Sequence, residues 1–293
     1  MMQKRVNKAV VPAAGWGTRF LPATKAQPKE MLPIIDKPAI QYIIEEARAA
    51  GLNDVLVVTG KTKRAIEDHF DHAVELEAML RSKGSAELLE MVQDISNLID
   101  IQYLRQKDQL GLGHAVYCAH KFVHDEPFVV LLSDDIVIGE PPCLDGMLQA
   151  YAETGAAIIA VQRVPENEIS SYGIVDPASD PAGGLFPVKG MVEKPEPAEA
   201  PSNLAVIGRY LLIPEIFPIL SELPAGRGGE IQLTDALDVL AKRGKVFAYL
   251  YEGRRYDIGN KLGFLQATVD LALERADLGG PFLSYLREKL GGQ

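Results

Sequence analysis

Residues 9–19 read AVVPAAGWGTR and predict a buried strand followed by a glycine-rich turn. Gly15 and Gly17 lack side chains, so the backbone N–H groups of this turn can approach an anion closely. Arg19 and Lys25 follow at a distance and supply mobile positive charge. The segment therefore predicts a cradle for the phosphates of a nucleoside triphosphate.

Two commoner glycine-rich motifs do not match this segment. A dinucleotide-binding fingerprint needs a third glycine where Phe20 stands, which disfavours a nicotinamide-dependent oxidoreductase. A Walker-type loop needs its lysine beside the last glycine, whereas Lys25 lies well beyond Gly17. Prolines spread over residues 15–35 prevent a continuous helix. This region is predicted to be a long ordered loop, and such loops usually carry function.

The composition indicates a globular protein that binds a small ligand. The chain has 293 residues, of which 47% are hydrophobic, and its formal net charge is −10. This charge disfavours nucleic acid and anionic membranes as partners. No apolar stretch approaches the roughly 20 residues that span a bilayer. Cys118 and Cys143 are too few for a disulfide framework, so we expect a cytoplasmic protein.

Strand and helix patterns alternate in the first half of the chain, which predicts an α/β fold. Residues 39–50 have the pattern of an amphipathic helix, and residues 54–60 that of a buried strand. A strand, loop, helix and strand in this order imply a parallel sheet. Further strands are predicted at residues 101–104 and 128–132, and helical structure at residues 63–95 and 115–121.

The second half is richer in strand patterns, which are separated by turns containing Pro, Gly and Ser. Strands are predicted at residues 156–164, 173–175, 190–193, 205–212 and 246–251, and helices at residues 231–243, 261–273 and 282–290. We place a soft boundary at residue 155. Residues 1–155 and 156–293 are then two closely joined portions or parts of one domain.

A metal site is predicted where the strand at residues 128–132 ends. Asp134 follows this strand, and ligands bind at the carboxyl edge of open α/β sheets. Proteins hold Mg²⁺ with one or two carboxylates and with substrate phosphates. Asp257, which follows the late strand, is the best candidate for a second carboxylate. A turn or helix cap explains the Asp134–Asp135 pair equally well, and explains an isolated Asp257 better.

Two further clusters suit a nucleotide and a sugar phosphate. Gln106 precedes a second glycine turn at Gly111 and Gly113, where an amide and free N–H groups can meet a base or a ribose. Taken alone, this turn is an ordinary helix entry. Glu193 can accept hydrogen bonds from sugar hydroxyls and Lys194 can meet a phosphate. A solvated ion pair is the simpler interpretation of an isolated Glu-Lys.

The chain resembles the bacterial UTP-glucose-1-phosphate uridylyltransferases, a branch of the sugar-phosphate nucleotidyltransferases, over nearly its whole length. The segments that carry the resemblance are PAAGWGTRFLPATKAQPKEMLPIIDKPAIQY at residues 12–42, GLGHAV at 111–116, VEKP at 192–195, PSNLAVIGRY at 201–210 and GGEIQLTDAL at 228–237. Relatives often have proline where this chain has Ser133, and smaller apolar residues at Trp16. Both departures leave Asp134 and the glycines in place.

The resemblance implies a Rossmann-like, mixed and mostly parallel central sheet flanked by helices, with a β-rich sugar-binding portion after residue 155. It implies that UTP and glucose 1-phosphate give UDP-glucose and pyrophosphate with Mg²⁺ as cofactor. The implied nucleotide-binding residues are Ala13, Ala14, Gly15, Gly17, Glu30, Gln106, Gly111 and Gly113. The implied catalytic residues are Arg19, Lys25 and Lys194, the sugar-binding residues Gly173, Glu193, Lys194 and Asn203, and the metal ligands Asp134 and Asp257. Members of this branch are commonly dimers or tetramers, so a homodimer or homotetramer is expected.

Two alternatives stay open at this point. The cradle does not select the base, so a related transferase could use dTTP or another sugar 1-phosphate. The chain could also be a non-catalytic regulatory subunit that binds a sugar nucleotide, although Lys25, Asp134, Lys194 and Asp257 argue against this.

Overall fold

The computed structural model describes residues 4–291, and within them the chain forms thirteen strands and eleven α-helices. The strands are β1 (Lys8–Ala13), β2 (Pro33–Ile34), β3 (Lys37–Pro38), β4 (Asp54–Thr59), β5 (Asp100–Arg105), β6 (Phe128–Leu131), β7 (Asp135–Ile138), β8 (Ala157–Arg163), β9 (Gly173–Pro177), β10 (Leu185–Glu193), β11 (Leu204–Leu212), β12 (Val246–Leu250) and β13 (Arg254–Asp257). The helices are α1 (Ala39–Ala49), α2 (Arg64–Phe70), α3 (Val74–Ser82), α4 (Ala86–Ser96), α5 (Leu112–Cys118), α6 (His120–Val123), α7 (Cys143–Thr154), α8 (Ile216–Glu222), α9 (Leu233–Lys242), α10 (Lys261–Glu274) and α11 (Gly279–Gly291).

Nine of these strands form one sheet in the order β5-β4-β1-β6-β11-β8-β12-β10-β9. The strands β5, β4, β1 and β6 are all parallel to their neighbours in that series. From β6 onwards the pairs are antiparallel, except that β8 and β12 are parallel. The predicted mixed α/β fold is therefore confirmed. The expectation of a mostly parallel sheet is wrong, because four of the eight neighbouring pairs in this order are parallel and four are antiparallel. The continuous parallel series β5-β4-β1-β6 lies in the first half of the chain, and the second half adds the antiparallel pairs and the parallel pair of β8 with β12.

The register of the parallel strands brings their carboxyl ends to one edge of the sheet. Val10 on β1 lies opposite Leu56 on β4, and also opposite Val130 on β6. All three side chains are buried in the main hydrophobic core. The glycine-rich turn after β1 and the turn after β6 therefore lie side by side, where ligands of open α/β sheets bind.

The strand β11 connects the two predicted portions of the chain. It pairs with β6 on one side and with β8 on the other, and all nine of its residues are buried. Gly155 has a left-handed conformation and ends α7. The boundary predicted at residue 155 thus falls at a helix end, and the sheet is continuous across it.

One pairing of distant segments is not visible in the sequence pattern. The short strands β7 and β13 form a separate antiparallel pair that places Asp257 opposite Asp135. The predicted helical region at residues 63–95 also consists of three helices, because Asp71 is extended after α2 and Gly84 has positive φ after α3. None of the helices described between residues 4 and 291 is long and apolar enough to cross a membrane.

Candidate active site

A cavity of about 440 Å³ opens at the carboxyl ends of β1 and β6. Its walls come from the glycine-rich loop after β1, the turn before α5 and the turn after β6. Seven of the predicted site residues line it, namely Ala14, Gly15, Gly17, Glu30, Gln106, Gly111 and Asp134. The sheet edge thus gathers groups that are far apart in the sequence. Ala13 is the buried last residue of β1 and supports this edge from within the sheet.

The glycine-rich loop is ordered by hydrogen bonds to its backbone. It contains three 3₁₀ turns, at Thr18–Phe20, Ala23–Lys25 and Lys29–Met31. Gly17 has a φ of 66°, and its carbonyl accepts a hydrogen bond from Thr24 Oγ1 at 2.7 Å. Gln109 Nε2 donates to the Ala14 carbonyl at 2.6 Å. These bonds hold the backbone at Gly15 in the cavity wall, where it is exposed.

Three cations of the loop occupy different positions. Arg19 is exposed, and its Nη1 lies 3.4 Å from the Gly259 carbonyl. Lys25 is also exposed, and neither side chain lines the cavity. Lys29 does line it, and its Nζ lies 2.6 Å from Asp134 Oδ2. Burial lowers the pKa of Lys29, but the nearby carboxylates of Asp134 and Glu30 outweigh burial and raise that pKa above its ordinary value. Lys29 is therefore a cation at neutral pH.

A buried ion pair lies at the base of the loop. Glu30 is 1% exposed, and its Oε2 lies 2.7 Å from Nζ of Lys63, which is 4% exposed. The other oxygen, Oε1, is buried and lacks a hydrogen-bond partner among the described residues. A buried carboxylate oxygen without a donor is costly, and Glu30 is part of the cavity wall. A ligand that donates a hydrogen bond here would remove this cost.

The second glycine turn packs against the segment that precedes α9. Gln106 Nε2 donates to the Gly111 carbonyl at 3.2 Å and lies 2.9 Å from His114 Nδ1. The amide oxygen is an acceptor that a ligand could use. Gly111 has a φ of 100°, and an added Cβ would lie 2.7 Å from the Cβ of Glu230. Gly113 is buried, and its N–H donates to the Ile231 carbonyl at 2.8 Å. Gly113 thus packs against Ile231, before the start of α9, and does not line the cavity.

The two predicted metal ligands are brought together around Gly259. An added Cβ on Gly259 would lie 2.9 Å from Asp134 Oδ2 and 3.0 Å from Asp257 Oδ1. Asp257 Oδ1 accepts a hydrogen bond from the Gly259 N–H at 3.0 Å. Each carboxylate keeps lone pairs that could bind a cation. No cluster of three or more His, Cys, Asp or Glu side chains suited to a metal occurs within residues 4–291. Proteins that hold Mg²⁺ with one or two carboxylates leave its other positions to water and substrate phosphates.

The turn after β6 carries two carboxylates with different electrostatics. Burial would raise the pKa of Asp134, but the Lys29 ammonium holds that pKa below its ordinary value. Asp134 is therefore an anion at neutral pH. Burial raises the pKa of Asp135 to about 6, against the opposing charge of Arg255. Arg255 Nε donates to Asp135 Oδ1 at 2.6 Å. Asp135 therefore forms a structural ion pair with Arg255.

The predicted sugar-binding residues form a second group. Glu193 Oε2 accepts a hydrogen bond from Thr234 Oγ1 at 2.6 Å, and an added Cβ on Gly173 would lie 3.3 Å from the same oxygen. Lys194 has a positive φ of 46°, and its Nζ lies 3.3 Å from Glu193 Oε1. The side chain of Arg227 donates to the Lys194 carbonyl. Glu193 is thus held by Thr234 beside the buried Gly173, where an added Cβ would also lie 2.9 Å from Thr234 Oγ1.

Tyr172 connects this second group with Asp257. Its carbonyl accepts a hydrogen bond from the Lys194 N–H at 3.0 Å, and its hydroxyl donates to Asp257 Oδ2 at 3.3 Å. The Arg255 guanidinium lies 4.5 Å from the centre of the Tyr172 ring. Asn203 is exposed at the start of β11, and its Nδ2 lies 3.4 Å from the Val164 carbonyl. Lys194 and Asp257 are therefore connected through Tyr172, whereas the hydrogen bond of the Asn203 side chain leads to Val164 and not to this group.

Four residues of this site were not assigned from the sequence. Lys29 lies beside Pro28 in the segment at residues 12–42, close to Lys25, which is the lysine predicted to meet the triphosphate. Nothing in the local sequence distinguishes these two lysines. Gln109 lies between Gln106 and Gly111 and contacts the loop only through the fold. Lys63 and Thr234 contact Glu30 and Glu193, respectively, across large sequence separations. The segment EIQLTDA was the one sequence signal that included Thr234.

The chain was compared with families and structures of known proteins. The family model described as nucleotidyl transferase matches residues 8–274. The chain belongs to the nucleotidyl transferase family. A UTP–glucose-1-phosphate uridylyltransferase of Bacillus subtilis (strain 168) is 57% identical over 289 residues, which is 98% of this chain and 99% of that protein. An enzyme of the same name from Staphylococcus epidermidis (strain ATCC 12228 / FDA PCI 1200) is 52% identical over 97% of this chain and 99% of its own length.

Solved structures of this nucleotidyl transferase family share the fold. A UTP-bound UGPase from Acinetobacter baumannii is 42% identical and has a TM-score of 0.90, covering 97% of this chain and 99% of that chain. A UDP-glucose pyrophosphorylase in complex with UDP-glucose is 43% identical, with a TM-score of 0.82 over 92% of this chain and all of that one. These findings confirm the family resemblance and the mixed α/β fold that were expected from the sequence.

Proposed function

We propose that this protein transfers the uridylyl group of UTP to glucose 1-phosphate and releases pyrophosphate, so that UDP-glucose is formed. The observation that carries the proposal is the cavity at the ends of β1 and β6, in which the glycine-rich loop, Gln106 and the Lys29–Asp134 pair meet. The near full-length similarity to proteins named for this reaction supports the choice of substrates.

The cavity provides complementary groups for a nucleotide. The backbone at exposed Gly15 and half-buried Gly17 lines the cavity and suits phosphates, because N–H groups of a glycine turn bind anions. The amide oxygen of Gln106, and Oε1 of Glu30, which has no hydrogen-bond partner within residues 4–291, are acceptors for donors on the base or the ribose. Ala14 and Gly111 complete the wall on which the nucleoside would lie.

The second group suits the sugar phosphate. Glu193 is oriented by Thr234 and can accept hydrogen bonds from glucose hydroxyls. Lys194 can pair with the phosphate, and exposed Asn203 can add a hydrogen bond. Gly173 allows this close packing, because an added Cβ would collide with the Thr234 hydroxyl that orients Glu193.

Asp134 and Asp257 are the proposed ligands of a divalent cation, and Mg²⁺ is the ion that suits them. The donor set fits, because two carboxylates converge on Gly259 and the substrate phosphates can supply the remaining oxygens. When bound, such a cation would neutralise phosphate charge and orient the triphosphate. The Lys29 ammonium forms an ion pair with Asp134 and would place a second positive charge beside the proposed cation.

The reaction requires positioning more than acid–base catalysis. The second pKa of a phosphate monoester is about 6, so glucose 1-phosphate is already an anionic nucleophile at neutral pH. No general base is needed. The difficulty is to bring two anions together and to stabilise charge on the α-phosphate and pyrophosphate. Arg19, Lys25, Lys29 and Lys194 are the proposed cations for this task, in an in-line displacement without a covalent enzyme intermediate.

A substrate panel tests the proposal. Purified protein with Mg²⁺ should release pyrophosphate from UTP and glucose 1-phosphate much faster than from dTTP or from other sugar 1-phosphates. A chiral α-phosphorothioate analogue of UTP should react with inversion at phosphorus, and net retention would contradict the in-line step. Binding of UDP-glucose without turnover in either direction would instead favour the regulatory subunit.

Two further features belong to this proposal. Exposed apolar side chains on α10 and α11, including Leu262, Leu265 and Tyr285, support a homodimer or homotetramer. Size-exclusion chromatography with light scattering would measure the mass in solution. Both substrates are metabolites of the cell interior, so a cytoplasmic location accompanies the proposed reaction.

A further inference from the structure

Arg209 is a fully buried cation on the central strand β11. It is 0% exposed, and its Nε donates to Glu46 Oε1 at 3.0 Å while its Nη2 donates to Glu46 Oε2 at 2.7 Å. Buried charges are tolerated when they are paired and hydrogen-bonded. Glu46 on α1 supplies the counter-charge, and its fork-like contact fixes the plane of the guanidinium.

The remaining donors of Arg209 contact the turn that carries Asp134. Nη2 donates to the Asp135 carbonyl at 2.7 Å, and Nη1 lies 3.4 Å from the Leu132 carbonyl. These two carbonyls stand on either side of Asp134 in the chain. The guanidinium therefore connects both ends of the turn, and the turn directs Asp134 into the cavity.

A distortion of β11 brings Arg209 to this turn. The pairing of β11 with β8 is interrupted between Val206 and Tyr210, and Gly208 within the interruption has a φ of 70°. The Gly208 carbonyl accepts a hydrogen bond from the Leu132 N–H at 2.9 Å. A Cβ on Gly208 would collide with the carboxylate of Asp135. Bulges of this kind often redirect a side chain next to an active site.

We propose that Arg209, held by Glu46, is a positioning residue that fixes Asp134 relative to Asp257 and thereby sets the affinity for a divalent cation. This role rests on the proposed function of Asp134 and Asp257 as ligands. A merely structural role predicts something different. A buried ion pair can often be replaced by apolar residues of similar volume without loss of the fold, and a structural pair replaced in this way would leave cation binding unchanged.

The experiment compares Arg209→Met, the double variant Arg209→Met/Glu46→Leu, and Arg209→Lys with the wild type. Free Mn²⁺ is measured by electron paramagnetic resonance while it is titrated into protein saturated with UDP-glucose, with UDP-glucose alone as the blank. Thermal unfolding and UDP-glucose binding in EDTA are measured in parallel. The matched control is Lys245→Met/Glu215→Leu, which removes a 2.8 Å ion pair outside the site.

We expect Arg209→Met to unfold at the lowest temperature, because it leaves Glu46 without its partner. The double variant should regain part of this stability but bind Mn²⁺ about 10-fold or more weakly, the usual scale of losses when partners of metal ligands are removed. Its UDP-glucose binding in EDTA should match that of the wild type. Arg209→Lys keeps the charge near Glu46 but cannot reach both carbonyls, so it should also bind Mn²⁺ weakly. The control should bind Mn²⁺ normally.

Wild-type Mn²⁺ affinity in the folded double variant or in Arg209→Lys would overturn the positioning role. A wild-type protein that takes up no Mn²⁺ would overturn it as well. The proposed function is judged separately by pyrophosphate release from UTP and glucose 1-phosphate. A wild type without that activity, combined with Mn²⁺ binding that depends on Arg209, would reject the transferase and keep the positioning role.

Discussion

Lys25 and Lys29 lie in one loop but have different surroundings. Lys25 is exposed, whereas Lys29 contacts Asp134 at 2.6 Å inside the cavity. Preorganised charges in a site shielded from water are worth much more than mobile charges in solvent. The structure thus indicates that Lys29 contributes more to catalysis than Lys25, a difference that the sequence alone does not show.

We therefore predict that Lys29→Ala lowers kcat for pyrophosphate release by about 100-fold, the scale seen when one preorganised donor is removed. Lys25→Ala is the matched control, and its kcat should fall less. Steady-state assays with UTP and glucose 1-phosphate measure both. An equal loss in the two variants would mean that the contact with Asp134 has no special importance.

Thr234 orients Glu193 from the first turn of α9. Thr234→Val keeps the shape of the side chain but removes the hydroxyl that donates to Glu193. We expect a higher KM for glucose 1-phosphate and an unchanged KM for UTP, because only the proposed sugar side loses a contact. A change in the KM for UTP alone would contradict this division of the site.

Cys143 should be chemically inert in the folded protein. Burial, with Glu46 nearby, raises the pKa of this thiol to about 12. The thiolate is the reactive form, and at pH 8 its fraction would be about 10⁻⁴. That fraction grows only as the pH rises toward the raised pKa, so Cys143 should resist iodoacetamide at pH 8 and react in urea. Mass spectrometry of labelled peptides measures this, and rapid native labelling of Cys143 would contradict it.

Among the elements, those with strong local patterns were predicted well. The helix expected at residues 39–50 is α1 (Ala39–Ala49), and the strand expected at residues 54–60 is β4 (Asp54–Thr59). Apolar periodicity, and a glycine such as Gly51 that ends a helix, are local features, so they can be read from neighbouring residues in the sequence.

Elements that depend on distant partners were not predicted. The pairing of β7 with β13 joins residues such as Asp135 and Asp257 that are far apart in the chain. The bulge at Gly208 lies where β11 contacts the turn after β6, which is distant in the sequence. The candidate site follows the same rule, since the sequence identified Asp134 and Glu193 but not Thr234 or Lys63.

The turn at Gly111 is an element whose packing can be tested. In Gly111→Ala the positive φ costs about 1–3 kcal/mol, and the new Cβ would also collide with Glu230 and Ile231. We expect a lower free energy of unfolding and a higher KM for UTP. Gly84→Ala is the control, because Gly84 also has positive φ but an added Cβ there contacts nothing within 4 Å. Urea unfolding should show a smaller loss for Gly84→Ala, and equal losses would refute the packing role.

At the scale of the whole molecule, the single nine-stranded sheet decides how the two portions depend on each other. The strand β6 ends the parallel series, and its other edge is covered by β11 from the second portion. A buried strand edge without its partner leaves unpaired N–H and C=O groups and promotes aggregation. The nucleotide side of the site also needs the second portion, because Ile231 packs on the turn at Gly111 and Gly113.

We predict that residues 1–155 expressed alone will not form a stable fold. The fragment would keep β1, β4, β5 and β6 but would expose the edge of β6 that pairs with β11. It should lack a cooperative thermal transition and should not bind UTP, whereas the full chain should show both in circular dichroism and calorimetry. Mixing the fragment with residues 156–293 is the informative control, since recovery of UTP binding would show that the loss is caused by the missing second portion, which supplies both β11 and Ile231. A fragment that unfolds cooperatively on its own would instead establish two independent domains and place their boundary at residue 155.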